Sequence, residues 1–496
     1  MDNPKDFNRD SLPEWVLTAL SQAMSETSGP SVLDHRDSPA WPMLVEAALV
    51  SSFLPRDLAP DLRDGEQRAE AEKAVLRFAE TTYGQDGVQW TLTTQSRCQI
   101  VEAAIGTGDL QKAVEHTSTS FSDNVSDAMR TCVVRSSESV PEVDLKSLEA
   151  LRIAVSSLVG VSRERLKLPP LEKLDREIAL RRLLRQFERM VGRKADDDAD
   201  KKDHFFGRET ELKTLRDYVG VIPPTSKLDT VIRGVGHLSR KFKERGPLAV
   251  WGVGGAGKTT LISKFMLEHA EAAASRFPFA YLDFERTTVG ARQRLDLLAE
   301  MCVQVGAQFE QLTGPMAALR ADVLKLARDL DSKNQTENIS DYSTYCFKFR
   351  ELVDGMLKSL ESTFEFERPF LLVFDTFEVV QYAQGDIETQ DTVRGLEEFV
   401  RGFSKEDKTW RRLRLIISGR TQVKKFLGDV EECPVGALDP IGSAQLLVAL
   451  ARDAKRPITD AEATKLVEVV AKAIKEPNQG VQPLRLHLIG EVFRTS

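Results

Sequence analysis

Apolar positions change their spacing once along this chain, and the change divides it. Over residues 1–193 they recur at helical spacing, in stretches broken by Gly29-Pro30, Ser38-Pro39, Gly84 and Pro141, with few β-branched runs. That pattern predicts an all-helical N-terminal domain. Its last helix, over 171–191, sets Leu174, Ile178, Leu184, Phe187 and Val191 on one stripe, with Arg176, Arg181, Arg182, Arg185 and Arg189 mostly off it. Glu177 and Glu188 are interleaved with those arginines, which reads as an ordinary solvated helix face. Residues 194–203 then carry no apolar side chain larger than alanine and predict a charged linker.

Beyond the linker, short apolar runs of strand type alternate with helical stretches, the signature of an α/β domain with a parallel sheet. Strands are expected over 248–251, 279–284, 370–374 and 413–418, with a fifth near 434–438. From about Ile441 onward the spacing is helical again, over 444–452, 460–474 and 484–493, separated by polar or Pro/Gly breaks. The domains expected are therefore 1–193, 204–438 and a helical lid over 439–496.

Composition narrows the classes. Of 496 residues, 41% are hydrophobic and 29% charged, and no apolar run approaches the length of a membrane span. The start, Met1-Asp2-Asn3-Pro4-Lys5-Asp6, lacks the features of a secretory signal, so a cytoplasmic location is expected. Cys98, Cys132, Cys302, Cys346 and Cys433 are scattered, with no C-x-x-C pair, which predicts reduced core residues. The formal net charge of −8 argues against nucleic acid as a partner.

The chemistry concentrates after the first predicted strand. Gly252-Val253-Gly254-Gly255-Ala256-Gly257-Lys258-Thr259 fits G-x-x-x-x-G-K-[ST] and follows Pro247-Leu248-Ala249-Val250-Trp251 directly. Its glycines permit backbone angles closed to other residues, so that successive amides converge on phosphates at the positive end of the next helix. Lys258 is expected at the β- and γ-phosphates, Thr259 on Mg²⁺ and Thr260 at the α-phosphate. Phe370-Leu371-Leu372-Val373-Phe374-Asp375 reads as a buried strand, on a neighbouring position in the sheet, that ends in the metal-side carboxylate Asp375. Glu378 either polarises the attacking water or caps a helix and pairs with an arginine. Arg420, at the end of the strand 413–418, is either a γ-phosphate sensor or a surface residue.

With those residues in place, the segment from His204 onward resembles the STAND branch of the AAA+ ATPases, the signal-transduction class that includes NACHT and NB-ARC proteins. Four motifs carry the resemblance: Phe206-Gly207-Arg208-Glu209-Thr210-Glu211-Leu212, similar to "GRE-x-E-L"; the phosphate loop in its G-x-G-G-x-G-K-T-T form; Leu371 to Glu378; and Gly480-Val481-Gln482-Pro483-Leu484-Arg485-Leu486, similar to "G-x-P-L-x-L". The resemblance implies an AAA+-like parallel sheet with a helical lid. It also implies Gly207 and Arg208 near adenine and phosphates, and Pro483 against the base. The expected function is an ATP/ADP-binding switch with slow hydrolysis, self-association, and a protein partner for the N-terminal domain, in signalling or antiviral defence.

Two departures bear on this. Thr376 stands where many family members place a second acid, so binding is expected more firmly than turnover. The winged helix and repeat-built sensor that usually follow the lid are not in this sequence, which stops at Ser496; the stretch 219–246 is longer than the family's opening helix requires. In residues 1–193, His35-Arg36-Asp37 echoes a kinase catalytic loop without its asparagine or Gly-rich partner, and no metal-ligand cluster of histidines occurs. The competing readings are an AAA+ DNA-handling ATPase of the replication-initiator or helicase-loader type, and a scaffold that keeps ATP as a structural ligand.

Overall fold

The computed structural model describes residues 31–84, 87–192, 204–220, 245–271, 276–285, 294–332, 339–364, 368–381, 386–404, 410–423, 426–474 and 480–495. The expected linker 194–203 and most of the 219–246 stretch lie outside them. The chain forms two compact units, Met1–Ile178 and Ala179–Ser496.

The first unit contains α1 (Trp41–Ala48), α2 (Gly65–Leu76), strands β1 (Ala79–Gly84) and β2 (Gly87–Leu92), then α3 (Thr94–Ala104), α4 (Gly108–Ser120), α5 (Asn124–Arg135) and α6 (Leu145–Leu158). Asp64, Asp123 and Asp144 each accept amide hydrogens of the next turn and so start α2, α5 and α6. α1 is apolar nearly all round because Met43, Leu44, Val45, Ala47 and Ala48 are all buried in the core. The all-helical expectation is corrected by the hairpin. Thr81, Thr82, Tyr83, Val88, Trp90 and Thr91 are residues that fit a pleated strand, and the antiparallel register Thr81↔Trp90 and Tyr83↔Val88 closes at Gly84↔Gly87. Gly84 therefore ends a strand that turns back, not a helix. A bridge from Phe53 to Trp90 ties β2 to the loop after α1.

The long helix α7 (Leu171–Met190) contains the division between the units. Leu174 and Ile178 belong to the first core, whereas Leu183, Phe187 and Val191 belong to the second. Residues 179–192, expected with the N-terminal domain, thus belong to the second unit, and Leu183 rather than Leu184 carries the more deeply buried position of the stripe.

The second unit continues with α8 (Glu209–Val219), β3 (Leu248–Trp251), α9 (Lys258–Glu271), β4 (Phe279–Asp283), α10 (Arg294–Gln308), α11 (Glu310–Ser332), α12 (Ile339–Phe364), β5 (Phe370–Asp375), α13 (Glu378–Gln381), α14 (Asp386–Arg401), β6 (Leu413–Gly419) and β7 (Glu431–Pro434). The five strands lie in the order β4-β5-β6-β3-β7, all parallel. Alternation along each strand sorts the residues onto two faces. Ala249, Leu282, Leu372, Phe374, Leu415 and Ile417 face a core built with α10, α11, α12 and α14. Leu248, Val250, Tyr281, Leu371, Val373 and Ile416 face a second core built with α8, α9 and the end of α7. Both faces are covered, which is why β5 is buried at every position.

The two sheet edges are handled differently. β7 begins at Glu431 rather than near residue 434, because Glu431 pairs with Leu248; the pairing runs to Pro434 opposite Trp251, and the Val435 amide still donates to the Trp251 carbonyl at 2.7 Å, so the proline nitrogen falls on the open edge, where no donor is needed. Its exposed Glu431, Glu432 and Pro434 make an edge with no apolar run to read. At the other edge, Gln304 and Gln308, one turn apart on α10, imitate a neighbouring strand. Gln304 accepts from the Tyr281 amide at 2.7 Å and donates to the Tyr281 carbonyl at 2.9 Å; Gln308 does the same for Phe279, at 3.1 and 2.7 Å.

The unit ends in α15 (Pro440–Asp453), α16 (Asp460–Ala473) and α17 (Pro483–Thr495), which share a small core of Leu446, Leu447, Leu450, Ala463, Val467 and Leu486. Asp439 caps α15 and a Thr459–Glu462 capping box starts α16. Among the described residues, no helix is long and apolar enough to cross a membrane, and all five cysteines are buried and unpaired by disulfides.

Candidate functional site

The carboxyl ends of β3, β5 and β6 meet the start of α9 at one place, and every residue singled out around the phosphate loop lies there. The loop 252–257 depends on its glycines for two separate reasons. Gly255 and Gly257 hold φ of 76° and 88°, in the left-handed region that L side chains rarely adopt. At Gly252 the reason is space: a Cβ there would sit 2.1 Å from the Val435 carbonyl oxygen. The loop delivers Lys258 as the first residue of α9, whose first-turn amides have no acceptor within the helix.

Lys258 is buried, and its Nζ donates to the carbonyls of Gly252 at 2.8 Å and Val253 at 3.2 Å. Desolvation lowers its pKa below the ordinary lysine value, and the nearby carboxylates of Glu378 and Asp375 oppose that shift. Thr259 donates its hydroxyl to Asp375 Oδ2 at 2.9 Å, Tyr281 donates its phenol to the same oxygen, and the Thr376 amide donates to Oδ1 at 2.9 Å. Asp375 is 2% exposed and fully engaged. It does not stand on the strand next to the phosphate loop, as expected, because β6 lies between β5 and β3; the Thr259 hydroxyl spans that gap.

Glu378 and Arg420 are brought together. Arg420 Nε donates to Glu378 Oε1 at 2.9 Å, and the guanidinium lies beside Gly254, while Glu378 Oε2 is buried without a partner among the described residues. The arginine is 64% exposed and the glutamate 13%. Arg208 is buried and serves as a strut: its guanidinium donates to the carbonyls of Ala256 at 2.9 Å and Gly436 at 2.5 Å and pairs with Glu211 at 2.7 Å. Gly207, at φ 62°, packs against Gly442 and Asp439 at the start of α15.

Two recesses adjoin. A cleft of about 390 Å³ opens over Gly254, Gly255, Lys258, Thr259, Asp375 and Arg420. A smaller one of about 110 Å³ is lined by apolar Met190, Val191, Phe205, Phe206 and Leu438 together with His204 and Arg208. Gly257, Thr260, Pro483 and His487 border both. Pro483 opens α17, and the Leu484 amide donates to the Gly255 carbonyl at 3.3 Å. A Cβ on Gly255 would lie 2.5 Å from that of Leu484. The start of α17 therefore rests on the phosphate loop.

Sequence reasoning missed several of these residues. Tyr281 read as strand core; the signal was a phenol inside a buried run, which must find a hydrogen-bond partner. The sequence singles out Thr376 for the acid it replaces, but not for its conformation: it adopts φ 56°, a costly region for a β-branched residue, and donates its hydroxyl to Asp283 at 2.9 Å. Glu285, His487 and the end of α7 at Arg189–Gly192 also line the recesses, and nothing in the local sequence pointed to them.

A glycine loop at a helix start, a lysine, and a threonine–aspartate pair across a parallel sheet define an α/β unit of the P-loop NTPase type. The donors gathered beside Lys258 are hydroxyl and carboxylate oxygens, which suit Mg²⁺ rather than a softer metal, and Gly254, Gly255 and Gly257 leave three positions of the loop without a side chain. No family model matches the chain, and no curated protein matches it. Among solved structures that do match is a Walker-type ATPase of Pyrococcus abyssi, at 15% identity and a TM-score of 0.28, over 53% of this chain and 63% of that one. The match thus spans less than two thirds of that protein, and so distant a likeness adds nothing to the geometry above.

Proposed function

We propose that the second unit binds ATP and ADP with Mg²⁺ and works as a nucleotide-operated switch with slow hydrolysis. The observation that carries this reading is the contact of α17 with the phosphate loop: Pro483 and Leu484 sit on Gly257 and Gly255, so loop occupancy and lid position share one space. In this reading Lys258 exchanges its two loop carbonyls for phosphate oxygens, which offer it full negative charge. Thr259 and Asp375 would hold the metal, which would supply neutralisation of phosphate charge. The recess lined by Phe205, Phe206 and Leu438 takes the base, with Pro483 at its border. Arg420 leaves Glu378 for the γ-phosphate, and Glu378 Oε1 is then released to orient water.

The order of the four motifs further supports a STAND-type role, in which ADP holds the lid closed and exchange for ATP permits self-assembly through the first unit, in signalling or defence. Denaturing freshly purified protein and identifying the released nucleotide by chromatography tests the switch. Stoichiometric ADP is expected. An empty or freely exchanging site overturns the locked state and leaves a turnover ATPase.

A further inference from the structure

Asp375 is held by a residue that the phosphate-loop chemistry does not require. In the structure its Oδ2 accepts from both Thr259 and Tyr281. If Thr259 turns its hydroxyl to a metal ion, that oxygen keeps one donor, and the donor is Tyr281. The phenol is set from two directions. Its backbone amide and carbonyl are both bonded to the Gln304 side chain, at 2.7 and 2.9 Å, so the edge strand β4 is held at this residue as though paired with another strand. Its ring meets Phe187 of α7 edge-on, with centroids 5.2 Å apart and planes at 87°. Both Tyr281 and Phe187 are buried, and the register pairs Tyr281 with Val373, two residues before Asp375, so the phenol reaches along the sheet to the strand end.

We infer that Tyr281 is the positioning residue of the metal-side carboxylate, fixing the rotation of Asp375 when Thr259 is drawn to the metal. Residues that orient a ligand from behind commonly set metal affinity as strongly as some ligands do. The inference rests on the nucleotide and Mg²⁺ reading above and deepens it. A purely structural phenol would only satisfy its own buried hydroxyl, and its loss would register in stability alone.

The test is Tyr281→Phe, which keeps the ring against Phe187 and removes the donor. Binding of a fluorescent ADP analogue is followed at rising Mg²⁺ and, separately, with metal chelated; Mn²⁺ in place of Mg²⁺ gives a direct electron-spin-resonance count of bound metal. The metal concentration at half-saturation is expected to rise about ten-fold in the variant, with metal-free nucleotide affinity retained. An unchanged midpoint overturns the inference, whether or not the melting temperature drops. Should Tyr281→Phe yield no folded protein, Phe187→Leu frees the ring while keeping the hydroxyl: a raised midpoint supports the inference and an unchanged one overturns it. If wild-type protein itself shows no metal dependence, the failure lies in the Mg²⁺ reading and is visible before any variant is made.

Discussion

Arg97 in the first unit and Lys258 in the second are both buried cations held by backbone carbonyls. Arg97 donates to Ala48 and Val50 at 2.8 Å each, at the end of α1, and to Thr91 at 3.2 Å. Lys258 donates to Gly252 and Val253 at 2.8 and 3.2 Å. Burial lowers both pKa values, that of Arg97 to about 10. By hydrogen bonds alone the two are alike. They differ in what can reach them: Arg97 is 2% exposed inside a packed core, whereas Lys258 lines an open cleft together with Asp375, Glu378 and Arg420. A carbonyl bond is a final state for the arginine and a replaceable one for the lysine, because only the lysine can be offered a stronger acceptor.

The sharpest way to break this comparison is to exchange the consequences. Lys258→Ala should abolish nucleotide binding, a loss of more than about 100-fold for removing a charge-assisted contact to phosphate, while the melting temperature stays near that of the wild type. Arg97→Met should do the reverse, destabilising by about 3 kcal/mol as buried carbonyls lose their donor, with nucleotide affinity of the folded protein unchanged. Retained micromolar binding in the lysine variant, measured by calorimetry, would remove the site from the loop.

Glycines give the next contrast. Gly255→Ala places a Cβ against Leu484 at positive φ, and a strain of about 1–2 kcal/mol should lift α17 and speed nucleotide release roughly ten-fold. Gly65, at the first turn of α2, has nothing within 4 Å of its Cβ position, so Gly65→Ala should stabilise by about 0.5 kcal/mol and leave release untouched. Stopped-flow displacement of a fluorescent nucleotide separates the two.

Arg420→Ala breaks an ion pair whose arginine is largely exposed but whose glutamate is mostly buried, so stability should fall by about 1–3 kcal/mol as the Glu378 carboxylate loses its donor, while turnover falls about ten-fold or more if the guanidinium serves the γ-phosphate. Arg152, paired with Asp175 on the surface of the first unit, is the control: its alanine variant should alter neither. Phosphate release assays at saturating ATP read the difference.

The smallest effect concerns pH. Burial, then His204 and Arg494, lowers the His487 pKa below its ordinary value, while Glu491 opposes the shift. The unfolded chain therefore takes up the proton first. Stability from this group is complete above about pH 6.5 and is lost as pH falls through the lower folded value. Melting curves of wild type and His487→Gln should coincide in their pH dependence above that point and diverge below it.

Much of the second unit was legible because its signals are local. The phosphate loop is eight consecutive residues whose types are dictated by backbone angle and charge, and four strands ran within one or two residues of their expected bounds because each is a short, largely apolar run that stops at a glycine or a polar side chain. β7 escaped because it is an exposed edge with acidic side chains, and the β1–β2 hairpin because Gly84 reads equally as a helix stop and a strand turn.

By itself the sequence determined the glycine loop at the start of α9, the aspartate at the end of β5, and the helical segments on either side, since each follows from residue types a few positions apart. Only the tertiary structure decided which carboxylate oxygen Thr259 and Tyr281 share, that Glu378 and Arg420 form a pair across 42 residues, and that Gln304 fastens the edge strand. It also decided that α17 rests on Gly255. Those contacts join elements far apart in the chain, and their geometry depends on strand order and on how helices pack over the sheet, neither of which any short stretch of residues encodes.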